Sequence, residues 1–305
     1  MTVLDQIIER YRRYGWSEPV GEWGVIQASY RTEMRAALDA RDTTALEGVL
    51  SEMFRGSLAY GLTSVPEDVE NTLPMQVTWR LALWAKVTDD QNVERLRAPT
   101  VGSPLVIGAT PLGGAKPVPV MPDAMRFDCY ARRIWNGMPI GGTVLEIGSG
   151  YGGVALQLLR RPCRMKVLLC DIPETLYLAH YWLAHSTSRK IAWWDDDPDA
   201  DVVLIPNFDL SCCGAAPDLV FSAHSLSGMD RETIDRYMVW LEQSGARYFY
   251  HDDAVEKVEG VWMTSMFPEI LDIKPPDCYR EVWREHTPWM GLGDRFCEVF
   301  YERTP

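Results

Sequence analysis

The spacing of apolar residues predicts helices along the first hundred positions. Apolar side chains recur every three or four residues in several stretches, which is the period of an amphipathic helix. One stretch includes Leu4 and Ile7, another follows a predicted N-cap near Thr43, and a third runs over residues 76–96. We therefore expect a helical N-terminal module over residues 1–98.

The pattern is interrupted between residues 99 and 122. These 24 positions contain six prolines and four glycines, which neither helices nor central strands tolerate. Long segments of this kind are usually functional or disordered. We expect a surface segment that connects two modules or folds over a ligand as a lid.

After residue 122 short β-rich runs alternate with helical ones, and this alternation is typical of a parallel sheet covered by helices. The last helix is marked most clearly, with Asp230 as its N-cap and Gly245 as its stop. Two further strand-like runs, joined by a Pro/Gly turn, predict an antiparallel pair at one edge. We expect an α/β domain over residues 123–305, with a doubly wound, mostly parallel seven-stranded sheet. The predicted strands are residues 143–147, 166–171, 201–206, 218–222, 247–251, 279–285 and 295–303, and the predicted helices are residues 153–159, 174–185 and 231–243.

A glycine-rich turn in the sequence TVLEIGSGYGGVALQLL, residues 143–159, carries the clearest chemical signal. Glycines between a buried strand and a helix allow a sharp turn and let a ligand approach the N–H groups at the helix N-terminus. The next strand ends at Asp171, 21 residues after Gly150. A carboxylate in that place can bind the hydroxyls of a ribose. The unit therefore predicts a nucleotide-like cofactor.

Two cofactors are compatible with this turn. Gly148, Gly150 and Gly153 satisfy the GxGxxG pattern of nicotinamide and flavin sites. Glu146, however, stands where the amino group of a methionyl moiety needs a carboxylate, and the terminal strand pair replaces a sixth parallel strand. These features favour S-adenosylmethionine over a dinucleotide, and a tight turn without a ligand is a further alternative.

Composition and charge narrow the classes of partner. The formal net charge of −13 repels a phosphate backbone, so a nucleic-acid substrate is not expected. No apolar run approaches the ~18 residues of a spanning helix, and the charged N-terminus does not resemble a signal peptide. The seven cysteines, including the adjacent Cys212 and Cys213, form no CxxC pair. We expect a cytoplasmic protein with reduced thiols, no resident metal and no membrane contact.

Three stretches together resemble the class I S-adenosylmethionine-dependent methyltransferases: EIGSGYGG, CDIPETLYLAHYWL and PDLVFSAHSLSGM. More narrowly, residues 120–303 are similar to the sugar O-methyltransferases of bacterial natural-product and surface-glycan gene clusters. The resemblance implies a Rossmann-like methyltransferase fold with S-adenosyl-L-methionine as cofactor. It also implies a small-molecule acceptor, a hydroxyl on a sugar or a glycosylated metabolite.

The resemblance also implies a cofactor site, residue by residue. Asp171 would bind the ribose and Ile172 would pack near the adenine. The stretch after the fourth strand departs from the family pattern, with Ser222 in place of Asn and Gly228 in place of Glu. Ser222 is kept as a candidate cofactor contact, and Arg126 and Tyr130 are candidates for the cofactor's carboxylate or for closing the pocket. The methionine end would be lined by Glu146, Gly148, Ser149, Gly150 and Gly152, and the other side of the adenine by Asn207 and Phe208.

The acceptor side is predicted from the polar residues at the strand ends. His224 follows the fourth strand, and His251 and Asp252 follow the fifth. A histidine, or a His–Asp pair, can remove the proton of an attacking hydroxyl. The rate should then rise with pH through a histidine pKa near 6.5. His180 and His185 are predicted on a helix surface.

The sequence leaves three functions open besides O-methylation. They are N- or C-methyl transfer on a natural-product scaffold, nicotinamide-dependent oxidoreduction, and a catalytically inactive scaffold that keeps the cofactor fold. The oligomeric state is not fixed either, and a homo-oligomer is compatible with the chain.

Overall fold

The computed structural model describes residues 1–17, 22–60, 62, 69–110, 116–139, 141–162, 165–211, 214, 216–254, 273–289 and 296–304. The helices are α1 Val3–Tyr14, α2 Glu22–Tyr30, α3 Thr32–Ala40, α4 Thr43–Ser51, α5 Val69–Thr88, α6 Ala124–Gly137, α7 Gly153–Leu159, α8 Pro173–Ser186 and α9 Arg231–Ser244. The strands are β1 Ile107–Ala109, β2 Val118–Val120, β3 Thr143–Ile147, β4 Lys166–Asp171, β5 Ile191–Trp193, β6 Val202–Pro206, β7 Leu219–Ala223, β8 Tyr248–Ala254, β9 Tyr279–His286 and β10 Phe296–Arg303.

The main sheet has the doubly wound, mostly parallel arrangement that the sequence predicts. Within the described ranges its strand order is β5-β6-β4-β3-β7-β8-β10-β9. The first six of these strands are parallel, whereas β10 runs antiparallel to both β8 and β9. The predicted α/β fold class with a doubly wound, mostly parallel sheet is thereby confirmed. The expectation of seven strands was wrong by one, because the short strand β5 adds an eighth at the edge.

Alternation along the strands separates two apolar layers. In β3 and β4, Val144, Val167 and Leu169 join the layer that contains α6, α7 and α8, while Leu145 and Leu168 join the layer beneath α9. Successive side chains of a strand point to opposite faces of the sheet, so each central strand is buried on both sides. The carboxyl ends of these parallel strands meet at one edge of the sheet, where ligands bind in such folds.

The N-terminal helices belong to the first of these layers. Ile7, Met34 and Leu46 are buried in the same apolar cluster as Tyr177 and Trp182 of α8. Helix α1 lies against α8, where Tyr11 contacts Tyr177 edge to face. This packing holds the N-terminal helices close to the strand ends that follow β4 and β6.

The structure corrects four details of the prediction from the sequence. Helix α4 is capped by Asp42, not Thr43, because the Asp42 carboxylate accepts from the amides of Thr44 and Ala45. The third predicted helix starts earlier and ends at Thr88, before a short 3₁₀ turn at Val93–Leu96.

The Pro/Gly-rich segment is not entirely a surface segment, since it contains the hairpin β1–β2 with Val118 and Val120 fully buried. His180, predicted on a helix surface, is only 2% exposed and accepts a hydrogen bond from the Trp193 indole.

Cys212, Cys213 and the turn at 290–295 lie outside the described residues. In the part of the chain that the structure describes, no helix is both long and apolar enough to cross a bilayer.

Candidate functional site

The turn after β3 is built around glycines with positive φ. Gly148, Gly150 and Gly152 have φ of 70°, 56° and 85°, a region that favours glycine. A Cβ at Gly148 would lie 1.8 Å from the Ser225 hydroxyl oxygen, and one at Gly152 would lie 2.7 Å from a Leu183 methyl carbon. A Cβ at Gly150 would meet nothing within 4 Å. Two of the glycines thus serve close packing, while Gly150 borders open space that a ligand can enter.

Glu146 places a buried carboxylate just before this turn. It lies near the end of β3 and is 5% exposed. Its Oε2 atom has no hydrogen-bond partner among the described residues, and neither does the Ser149 hydroxyl. Burial, together with the charge of Asp171, raises the pKa of Glu146 well above its usual range. A buried carboxylate without a partner is costly, and a cationic group such as an ammonium would satisfy it.

Asp171 ends β4 beside the same turn. Its two carboxylate oxygens accept from the backbone amides of Gly150, at 2.9 Å, and Ile172, at 2.7 Å. Burial raises the pKa of Asp171 to about 7, although these hydrogen bonds and the nearby charge of Arg31 oppose the rise. A carboxylate oxygen has more than one lone pair, so hydroxyl groups of a ligand can still donate to it.

The residues predicted near an adenine follow β4 and β6. Ile172 is the N-cap of α8, and Asn207 and Phe208 form a short 3₁₀ turn directly after β6. The Phe208 ring is 54% exposed, and its centroid lies 6.0 Å from that of Tyr14 on α1. The structure therefore adds an aromatic side chain from the N-terminal helices to this side of the site.

On the other side of the turn, His224 and Asp252 form a buried pair. His224 follows β7 with φ of 52° and donates its backbone amide to the Asp252 carbonyl at 2.7 Å. Its Nε2 lies 3.5 Å from Asp252 Oδ2 and 3.2 Å from the Tyr130 hydroxyl. Asp252 Oδ2 also accepts hydrogen bonds from the hydroxyls of Tyr130 and Thr287.

The charges around this pair fix its protonation. Burial, Arg126 and Arg80 lower the pKa of His224 well below its usual value, so the ring is neutral at pH 7. Burial raises the pKa of Asp252 to about 6, and the nearby Asp253 adds to the rise, while the bonds from Tyr130 and Thr287 oppose it. Because Nε2 faces Asp252 and Tyr130, we assign the ring proton to Nε2. Nδ1 is buried without a partner in the described residues and is then free to accept a proton.

His251 does not share this site, so the neighbouring His251 and Asp252 do not act as one pair. His251 is stacked against Tyr301 and lies 3.5 Å from a carboxylate oxygen of Asp253. It points to the α9 face, whereas Asp252 points to the α6 face. Ser222 pairs with Ile147 and with His251 in the sheet register, so its side chain lies on the sheet face opposite to that of Glu146.

Arg126 and Tyr130 lie on α6, between the glycine turn and the buried pair. Arg126 forms an ion pair with Asp123, with an N–O distance of 3.3 Å. Tyr130 is fully buried and hydrogen-bonds to Asp252. The structure thus places Tyr130 against the His224–Asp252 pair.

Sequence reasoning missed the residues that join α8 to the N-terminal helices. Glu174, in the first turn of α8, accepts hydrogen bonds from the side chains of Ser17 and Gln27, and Arg31 donates to the Thr175 hydroxyl at 2.9 Å. Glu174 and Arg31 are both fully buried. No local pattern marks these contacts, because they join residues more than 140 positions apart.

Comparison with protein families and with curated proteins finds no match to the chain. Solved structures do match. A TehB-like SAM-dependent methyltransferase from Corynebacterium glutamicum is 16% identical, with a TM-score of 0.38 over 57% of this chain and 86% of that one. Magnesium protoporphyrin IX methyltransferase from Synechocystis, with bound SAM, is 13% identical, with a TM-score of 0.39 over 59% and 78%.

A glycopeptide N-methyltransferase, MtfA, is 14% identical, with a TM-score of 0.38 over 59% of this chain and 90% of that one. Identities and scores this low carry no conclusion about activity or substrate. The chemistry of the site alone therefore supports the functional proposal.

Proposed function

We propose that the protein is an S-adenosyl-L-methionine-dependent methyltransferase. The observation that carries the proposal is the buried Glu146 carboxylate, which has an oxygen without a partner among the described residues and directly precedes the turn with open space at Gly150. Glu146 and Asp171 together place two carboxylates at the glycine turn. Such a site suits a ligand that carries an ammonium, a sulfonium and ribose hydroxyls. A dinucleotide would instead bring a pyrophosphate dianion toward the same negative charges.

The arrangement on the acceptor side supports transfer to a hydroxyl. Bound S-adenosylmethionine supplies a methyl group on a cationic sulfur, and its transfer to oxygen breaks the S–C bond, leaves that electron pair on sulfur and frees the hydroxyl proton. His224 is neutral and can take this proton at Nδ1. Asp252 and Tyr130 hold the ring in the required tautomer. A neutral amine acceptor would have less need of such a base, so this pair favours O-methylation.

The acceptor class follows from the resemblance and the charge. We propose a small molecule with a free hydroxyl, a sugar or a glycosylated metabolite, because the motifs around Gly150 and His224 resemble those of sugar O-methyltransferases. The net charge of −13 disfavours nucleic acid.

Calorimetric titration tests the cofactor assignment. The protein should bind S-adenosylhomocysteine and not NAD, and E146Q should weaken that binding by roughly 10-fold to 100-fold, the loss of one hydrogen bond to a charged group. D199N, a change at a 94% exposed carboxylate, is the matched control and should bind normally. Binding of NAD in preference to S-adenosylhomocysteine would contradict the proposal.

The acceptor is tested with labelled methyl groups. Methyl-labelled S-adenosylmethionine is incubated with a panel of glycosides, alcohols and amines, and labelled products are identified by mass spectrometry. Label on a hydroxyl oxygen supports the O-methylation assignment. Label found only on amines would overturn it.

A further inference from the structure

A row of three carboxylates crosses the sheet edge on the α6 face. Glu285 of β9, Glu298 of β10 and Asp252 of β8 are direct partners in the strand register. Residues directly opposite in antiparallel strands have Cβ atoms roughly 4.5–5.5 Å apart, and like charges in such positions destabilise a sheet. We call these three residues the acidic row.

The row runs from solvent to the candidate base. Glu285 is exposed, with 57% of its side chain accessible, whereas the Glu298 and Asp252 side chains are at most 1% exposed. Asp252 contacts His224 and Tyr130, as described above. The row therefore connects the buried His224 with the protein surface.

Glu298 has partners that fix its position. Arg133 of α6 lies 2.9 Å from carboxylate oxygens of both Glu298 and Glu285, and its guanidinium lies over the Trp283 ring at 5.0 Å. The Tyr250 hydroxyl also donates to Glu298. The other oxygen, Oε1, is buried without a partner in the described part of the chain.

The row has too little positive charge to remain fully ionised. Among the described residues, Arg133 is shared between Glu285 and Glu298, and Arg126, the cation that lowers the pKa of Asp252, already pairs with Asp123. Burial and the Asp252 charge raise the pKa of Glu298 to about 8, although Arg133 and the Tyr250 bond oppose the rise and Glu285 adds to it. With Asp252 ionising near pH 6, the two carboxylates carry about one proton between them at pH 7.

We propose that Asp252 and Glu298 share one proton at neutral pH and take up the proton that His224 removes from the acceptor. This inference rests on the proposed function. In the proposed step His224 Nδ1 receives the acceptor proton, Nε2 passes its own proton to the Tyr130 oxygen, and Tyr130 passes its hydroxyl proton to Asp252. The pair then holds two protons, and one leaves from Glu298 past Glu285 to water.

Infrared titration of the folded full-length chain tests the shared proton without any acceptor. In the wild type, the carboxyl bands of Asp252 and Glu298 should disappear near pH 6 and near pH 8, and difference spectra between the wild type and each variant separate these two steps from the bands of other buried carboxyls such as Asp171. E298Q should abolish the upper step, and D252N should move it down by about one pH unit or more, because the like charge is gone. E302Q, a change at the more exposed Glu302 on the same strand, is the matched control and should leave both steps in place.

The outcomes separate the two proposals. If D252N is folded by near-ultraviolet circular dichroism and leaves the upper step unmoved, the carboxylates are independent and the inference is wrong. If D252N does not fold, the loss or retention of the upper step in E298Q decides the assignment of that proton. Failure of the wild type to bind S-adenosylhomocysteine contradicts the proposed function and leaves the titration result unaffected.

The proton-uptake role has its own readout. With a hydroxyl acceptor from the labelling panel, E298Q should lower turnover at pH 7 by about 10-fold, less than loss of the base itself, with KM for the cofactor unchanged. Turnover equal to that of the wild type across pH 6–9 would show that Glu298 is structural only. If the wild type methylates no acceptor of the panel, that result counts against the proposed function, and the infrared titration then tests the shared proton by itself.

Discussion

Asp171 combines a structural and a proposed ligand-binding role, and both depend on its charge. It holds the amides of Gly150 and Ile172 and, with a pKa of about 7, is partly protonated at neutral pH. We expect the affinity for S-adenosylhomocysteine to rise with pH through about 7, because the ionised form is the stronger acceptor for ribose hydroxyls. D171A should weaken binding at pH 8 by roughly 10-fold to 100-fold, the value of one hydrogen bond to a charged group.

Calorimetry between pH 6 and pH 8.5 measures both effects. D199A provides the control for loss of a carboxylate elsewhere on the surface. Equal affinity of D171A and the wild type would remove Asp171 from the ribose site.

His224 and His251 offer a paired test, because they lie on opposite faces of the sheet. H224A should lower turnover by about 10²–10⁴-fold, the usual contribution of a positioned base, whereas H251A should cost far less. The acid limb of the pH–rate profile, where the rate falls with decreasing pH, should lie near pH 6, where Asp252 becomes protonated. This limb should not lie at the usual pKa of a histidine, because the pKa of His224 is well below its usual value.

Initial rates of methyl transfer from labelled cofactor, at saturating acceptor, measure these differences. H224A and H251A enzymes of equal activity would exclude a histidine base. D252N should flatten the acid limb, and an unchanged limb in that variant would assign it to another group.

At the scale of the element, the turn between β3 and α7 separates packing from binding. G148A should destabilise the fold by more than the ~1–2 kcal/mol of a left-handed non-glycine residue, because its Cβ would collide with Ser225. G150V carries the same left-handed strain but no collision, so it should fold with reduced stability and lose binding of S-adenosylhomocysteine, because its side chain fills the open space. G245A is the control for G150V, since Gly245 also has positive φ and open surroundings but ends α9, away from the site.

Thermal unfolding and calorimetry separate the two effects. Tight binding by folded G150V would show that the open space is not the cofactor site.

The elements with long apolar runs could be predicted from the sequence, and the short or tertiary features could not. Strand β3 matches its prediction, residue for residue, and helix α9 has the predicted cap at Asp230 and stop at Gly245. Strand β5 has three residues, too few to show a period. It forms because β6 offers a free edge next to Trp193, a condition that the local sequence does not contain.

The candidate site shows the same limit. The glycine turn, Glu146 and Asp171 are local in sequence, so motif spacing could find them. The pairing of His224 with Asp252 depends on the register of β7 against β8 and on the positive φ of His224. Thr287 and Glu298 come from the antiparallel edge strands and their connection, so only the folded sheet shows that they reach Asp252.

For the whole molecule, the buried carboxylates predict how stability depends on pH. Burial raises the pKa values of Glu146, Asp171, Asp252 and Glu298 above the values near 4 of unfolded chains. Between about pH 4 and pH 8 the folded state thus binds more protons than the unfolded state, so these groups make the free energy of unfolding fall as pH rises. Below about pH 6.5 the depressed pKa values of His180 and His224 act in the opposite direction, so the melting temperature without ligand should decrease from pH 6.5 to pH 8.5.

Scanning calorimetry across that range tests the expectation. D171N stays neutral and should reduce the decrease, while the surface change D199N should not. A melting temperature that increases with pH in the wild type would show that these carboxylates are not protonated in the fold.

The first turn of α8 is shared by two parts of the molecule. Asp171 and Ile172, directly before it, face the proposed ribose site, while Glu174 and Thr175 within it bind Gln27 and Arg31. A ligand at the ribose site and the packing of α2 and α3 both order this turn. When one of them has ordered the turn, the entropy cost of the other is lower, and by thermodynamic linkage this coupling is reciprocal. Ligand binding should therefore slow amide hydrogen exchange in α2 and α3, and mutations that loosen these helices should weaken ligand affinity.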